Sequence, residues 1–252
     1  MSPSLATTLA SNLSAIHARI AAARLRSQRP EREVLLVAVT KSTSSAHAAE
    51  LAALGEHELG ENRADELERK ATRLAASGQS VRWHFLGHVQ RNKARRIVQM
   101  AQVIHSVDSL ELLGTLERVS AELERELDVY FQLKLGDEAT KTGLAPEQLP
   151  ALLALARACP HIRARGLMTM APLFDDQGSP EAQTAARRVF RALAETAHAL
   201  EVDPKARTLF HAGRVETSMG MSDDFEIAVE EGSDVVRIGS SLFAGLEPEV
   251  HA

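Results

Sequence analysis

VLLVAVTKSTSS, residues 34–45, is a run of seven uncharged residues that leads directly into Lys41, with no glycine in the turn that follows. The run is branched and apolar, as a strand buried on both faces requires. A doubly wound nucleotide-binding sheet would usually place a glycine-rich phosphate loop after such a strand, and VAVTKSTSS has none. The helical pattern SSAHAAELAAL (44–54) comes next, and the alternation then repeats along the chain.

Working outward, the strand candidates are HELGE (57–61), WHFLG (83–87), VIHSV (103–107), DVYFQLKL (128–135), IRARGLMTM (162–170), RTLFHA (207–212) and DVVRIG (234–239). Helical runs separate them, among them ADELERKATRLAA (64–76), VQRNKARRIVQ (89–99) and PEAQTAARRVFRALAETAHAL (180–200). Including the first, eight buried strands alternating with helices imply parallel pairing. Eight such units close into a single (β/α)8 TIM barrel more naturally than they form an open sheet. The 252-residue length fits the roughly 250 residues such a barrel needs. Before the first strand, Leu5, Leu9, Leu13, Ile16 and Ile20 share one helical face. The expected organisation is one barrel domain over 1–252, with residues 1–30 forming an extra N-terminal helix packed on it.

Composition narrows the function. The net charge of −5 argues against nucleic acid, which needs a dense basic surface. The run RNKARR (91–96) reads as a solvated helix face. The single cysteine, Cys159, cannot form an internal disulfide, so a reducing compartment is expected. The N-terminus lacks the pattern of a signal peptide, and no apolar run approaches the roughly 18 residues of a membrane span. A cytoplasmic monomer without membrane contact is the expectation.

In a (β/α)8 barrel the active site lies at the C-terminal ends of the strands. Lys41 ends the first strand. An amine there, partly desolvated, suits Schiff-base formation; the structural alternative is a strand-end lysine reaching solvent. The eighth strand ends in Ile238-Gly239-Ser240-Ser241, whose backbone N–H groups and hydroxyls suit a phosphate, and Ser218 with Gly220 offers a donor-rich loop beside it. An amine facing a phosphate cup fits an aldehyde cofactor with a phosphate handle. Arg237 alternates with Val236 and Ile238, and either points into the barrel mouth or makes a structural salt bridge. Glu61 and Asn62 are polar at the second strand's end. His84, ending the third strand, counts among residues that could contact such a cofactor. His84, His88, His105 and His211 show no HExxH-type spacing, so no metal is expected.

The motifs VAVTK, GEN, WHFLGHVQRNK, GLMTMAP, SMGMSDD and VRIGSSLF occur in order from about Val34 to Phe243. In these the chain resembles the YggS/PROSC family of pyridoxal 5′-phosphate (PLP) homeostasis proteins. The resemblance implies a barrel related to the N-terminal domain of alanine racemase, with PLP joined to Lys41 and Asn62 near its ring. It implies phosphate held by Ser218, Gly239 and Ser240, and Arg237 facing the pyridine nitrogen. It also implies a role in storing PLP or delivering it to PLP-dependent enzymes, without robust catalysis. The chain departs from the family at Lys134, where asparagine is usual, and Lys134 adds a second amine near a strand end. Thr217 stands where leucine is usual, and the tail AGLEPEVHA lacks basic and aromatic residues. An amino-acid racemase is the alternative, although its second base would have to be the lone Tyr130, early in strand five. A Schiff-base aldolase using Lys41 without PLP is a further one.

Overall fold

In the computed structural model, which describes residues 4–136, 142–172 and 179–246, eight parallel strands close into a barrel in chain order. They are β1 (Leu35–Val39), β2 (Glu58–Glu61), β3 (Arg82–Phe85), β4 (Val103–Val107), β5 (Leu127–Gln132), β6 (Ile162–Met168), β7 (Glu216–Ser218) and β8 (Val235–Ile238). Closure is made by β1 pairing with β8, with Val37 opposite Arg237 and Ala38 opposite Ile238. The connecting helices are α2 (Ser45–Ala53), α3 (Ala64–Ala76), α4 (Ala94–Met100), α5 (Leu110–Glu122), α6 (Leu149–Ala156), α7 (Pro180–Val202) and α8 (Phe225–Glu230).

The strand period of two sorts the side chains. Leu36, Ala38, Trp83, Phe85, Val236 and Ile238 join the large core between strands and helices. The intervening positions face the barrel interior, where only a small apolar layer of Val37, Val103, Tyr130, Met168 and Val235 forms. Further interior positions, among them His84, His105, Ser218 and Arg237, are polar and buried. Most barrels fill this space with branched apolar residues, so the polar filling here has to be hydrogen-bonded internally.

The additional helix α1 (Leu5–Arg26) begins at Ser4, whose Oγ accepts the Thr7 N–H. It buries Leu9, Leu13, Ile16, Ile20 and Ala23 and packs on α8 and α2. Arg19 and Arg26 pair with Glu226 and Glu230 across the α1–α8 seam. Exposed ion pairs contribute about 0–1 kcal/mol each, whereas each buried Leu or Ile contributes roughly 1.5–3 kcal/mol. The apolar face therefore keeps α1 on the barrel. Among the described residues, no helix is long and apolar enough to cross a membrane.

The seventh strand is not where its sequence placed it. RTLFHA forms two 3-10 turns, Arg207–Leu209 and His211–Gly213, and Ala212 takes φ +54°, which extended pairing cannot accommodate. Phe210 still plugs into the core, so the apolar signal was real but belonged to a turn. The strand is Glu216–Ser218, three polar residues stabilised by bonds: the backbone N–H of Thr217 donates to Asp234 Oδ2 at 2.8 Å, and the Thr217 hydroxyl to the Gly232 carbonyl at 2.9 Å.

Candidate cofactor-binding site

Because β1 and β8 are neighbours, their ends share one wall of the mouth. Lys41, one residue beyond Thr40, lines a cavity of about 410 Å³ with His47, Gly239, Ser240, Phe243 and Leu246. Lys41 and Ser240 are both exposed, so the desolvation expected at Lys41 from its apolar approach is not met; its amine stands in the open mouth. The reason is geometric: burial ends at Thr40, the last residue inside the barrel wall.

The buried lysine lies beneath it. Lys70 on α3 reaches the barrel wall, where Nζ donates to Glu61 Oε1 at 2.5 Å and to the Thr40 carbonyl at 2.6 Å. The Thr40 hydroxyl donates to the same Glu61 oxygen at 2.7 Å, and Glu61 Oε2 accepts the Asn62 N–H at 3.2 Å. Glu61 thus ties the peptide before Lys41 to Asn62 and does not line the mouth as its sequence position suggested. Asn62 is exposed at the β2 end, with its carbonyl pressed against Gly87, where an added Cβ would come within 2.1 Å of it. Lys70 was legible only as a cation at an i+3 position of the apolar stripe Ala64, Leu67, Leu74.

The phosphate-type cup follows β8. The N–H groups of Gly239 and Ser241 converge on Ser222 Oγ at 3.3 and 3.4 Å. Gly220, at φ +94°, turns the preceding loop and leaves no room for a Cβ against Ala228 and Phe225. His47, which the sequence reading also missed, stands edge-on to Phe243 at 5.8 Å and hydrogen-bonds Ser44 through Nδ1 at 2.8 Å. From α1, Asn12 Nδ2 donates to the carbonyls of Leu242 (2.9 Å) and Ala244 (3.0 Å), pinning the turns that form the cavity rim.

Ser218 and Ser240 are not brought together. Ser218 is fully buried inside the barrel, bonded to His105 Nδ1 at 2.8 Å and to Arg237 Nη1 at 2.6 Å. Arg237 does point into the barrel, and its other bond goes from Nη2 to the Thr169 carbonyl at 3.1 Å. Among the described residues its hydrogen-bond partners are neutral oxygens, and no salt bridge to it is formed. Burial lowers its pKa to about 10, against some support from Asp224, and it remains a cation at neutral pH. His84 does not reach the mouth either; it is buried between Glu58 and His105. Tyr130 is stacked on His105 at 4.5 Å and bonded to Glu216; burial and that carboxylate push its hydroxyl well above the ordinary range. Lys134 is half-buried after β5 and is absent from the cavity wall that carries Lys41. Among the described residues, no group of three or more His, Cys, Asp or Glu side chains is placed to hold a metal.

Fold and mouth together define a parallel (β/α)8 barrel with an amine at the end of its first strand and a backbone cup at the end of its eighth. The chain belongs to the family described as alanine racemase, N-terminal domain, whose model matches residues 11–247. It is 37% identical over 238 residues to a protein of Pseudomonas aeruginosa named pyridoxal phosphate homeostasis protein, covering 94% of this chain and 95% of that one. A protein of the same name in Escherichia coli is 32% identical over 239 residues, covering 93% and 95%. The solved structure of PipY from Synechococcus elongatus, determined with PLP bound, superposes with a TM-score of 0.78 at 33% identity, covering 94% of this chain and all of PipY. An alanine racemase of Clostridium difficile shares the fold at 18% identity and TM-score 0.63, over 86% of this chain and 53% of its own.

Proposed function

We propose that this protein binds PLP through Lys41 and acts in PLP homeostasis, storing the cofactor or passing it to PLP-dependent enzymes, without robust catalysis. The observation that carries the reading is the cavity that Lys41 lines together with Gly239 and Ser240 across the β1–β8 seam. Its residues fit the group. The amine is accessible, the N–H groups of Gly239 and Ser241 meet at the Ser222 hydroxyl beside it, and Arg237 is a buried cation whose hydrogen-bond partners among the described residues are neutral oxygens. Lys41 would hold the aldehyde carbon, the β8 cup with Ser240 and Ser222 would hold the phosphate, and Asn62 at the β2 end would contact the cofactor. Ser218 and His84 act behind Arg237. Bound PLP supplies an electrophilic carbon and an electron sink.

Two features of the chain limit that sink. Arg237, if it faces the ring nitrogen, would oppose its protonation, because both groups would then be cationic. The one tyrosine is committed to Glu216 and held protonated, which removes the second base that racemisation needs. The protein acts as a cytoplasmic monomer, with recipient enzymes as its macromolecular partners.

Borohydride reduction of the PLP-loaded protein followed by peptide mapping tests the site. The pyridoxyl label is expected on Lys41, and a label mainly on Lys134 overturns the assignment. Chiral chromatography of L-amino acids incubated with loaded protein tests the absence of catalysis. Racemisation faster than about 1 s⁻¹, within the ordinary enzyme range, restores the racemase reading. Failure to take up PLP at all leaves the aldolase.

A further inference from the structure

A hydrogen-bonded chain crosses the barrel interior from the start of β2 to β8. Glu58 Oε2 meets His84 Nε2 at 2.5 Å, and His84 Nδ1 meets His105 Nε2 at 2.8 Å. His105 Nδ1 meets Ser218 Oγ at 2.8 Å, and Ser218 Oγ meets Arg237 Nη1 at 2.6 Å. Both ring nitrogens of both histidines are used, and both rings are buried.

Counting hydrogens fixes the direction. A guanidinium only donates and a carboxylate only accepts. Four links need four hydrogens, and Arg237, Ser218 and the two neutral imidazoles supply one each. The only arrangement without a clash runs Arg237 to Ser218 to His105 to His84 to Glu58. Neutral rings agree with their surroundings. Burial depresses both, and the Arg237 and Arg82 charges add to it at His105. Glu58 is pushed up by burial, but the His84 bond and the charges of Arg82 and Arg165 outweigh this and keep it ionised. A fifth hydrogen, on a cationic His84, would reverse the two inner links and turn the Ser218 hydroxyl out of the chain.

We infer that Glu58, His84 and His105 are positioning residues that hold Arg237 in place through this one-way chain, with both histidines in the Nε2–H form. The chain acts at a distance. The carboxylate at the barrel's lower end orders two rings, the rings order the Ser218 hydroxyl, and its lone pair fixes Nη1 while the Thr169 carbonyl fixes Nη2. The effect on the cofactor rests on the reading of Arg237 as the group facing the PLP ring nitrogen; the chain itself does not.

The test has two arms on the full protein. In the first, two-bond ¹H–¹⁵N correlation spectra of ¹⁵N-histidine protein read each ring's tautomer without any variant. His105 is assigned by its contact with Tyr130, the chain's single tyrosine, and His84 by its contact with His105. Nε2–H on both at neutral pH is expected; Nδ1–H or a doubly protonated ring on either overturns the chain. In the second, ¹⁵N-labelled PLP is bound to the wild type and to His105→Phe, which cuts the chain but keeps a ring against Tyr130. The ring-nitrogen resonance is expected to move toward that of an unpaired pyridine while PLP stays on Lys41. An unchanged resonance in His105→Phe, or in His105→Gln should the first not fold, overturns the positioning role. Loss of PLP binding by the wild type itself would defeat the functional reading but leave the first arm standing.

Discussion

Lys70 Nζ lies 2.5 Å from Glu61 Oε1, and neither side chain has any solvent exposure. The pair sits under the peptide that presents Lys41, because Lys70 also donates to the Thr40 carbonyl. Removing one member of a buried pair leaves the other charge uncompensated, at a cost of about 3–5 kcal/mol. Lys70→Met is therefore expected to lose that much stability in urea unfolding. The double variant Lys70→Met, Glu61→Gln is expected to recover most of it. A loss below about 1 kcal/mol in the single variant would show that the pair is not buried in solution.

Glu56 is buried at the α1–barrel junction, with His17 at 3.5 Å, and burial raises its pKa to about 7. The unfolded chain titrates this carboxyl near 4.5. The folded state therefore holds the proton more tightly between those values, and stability is lost as pH rises from 4.5 through 7. Glu56→Gln removes the penalty. It is expected to stabilise by about 2–3 kcal/mol at pH 8 and by little at pH 4.5, read as a change in urea midpoint. Equal effects at both pH values would refute the assignment.

The interior histidines act with the opposite sign. Their folded pKa values lie below the ordinary 6.5, so the unfolded chain takes up protons first as pH falls below that value. Each contributes a loss of stability approaching about 1.4 kcal/mol per pH unit below 6.5. His105→Phe is expected to show a shallower decline between pH 6.5 and 5 than the wild type, and parallel curves would contradict it.

Asn12 joins α1 to the turns after β8 through two carbonyl bonds. Neutral hydrogen bonds contribute about 0.5–1.5 kcal/mol each, so Asn12→Ala is expected to weaken PLP retention about tenfold. Because the effect passes through the phosphate cup, binding of pyridoxal, which has no phosphate, is expected to be unchanged. An equal loss for both ligands would mean that α1 acts on the whole mouth.

The sequence by itself determined the eight-fold alternation, the helix preceding it, the amine at the end of β1 and the glycine-serine cup at the end of β8. These follow from local patterns: strand and helix periods, and the rule that barrel strands deliver their C-terminal ends to one face. Only the tertiary structure decided what the interior holds. Glu58, His84, His105 and Ser218 are 26, 21 and 113 residues apart along the chain, and closure of the barrel alone makes them consecutive in a hydrogen-bonded chain. The burial of Lys70 depends on a carboxylate from another element, and a composition window sees only a helical lysine. Strand β7 was misplaced for the same reason: three polar residues become a strand when Asp234 and neighbouring strands satisfy them, whereas the apolar RTLFHA supplies a buried Phe210 from a turn. Short-range pattern sets where elements form; desolvation, which depends on what closes around a side chain, sets which polar groups must find one another.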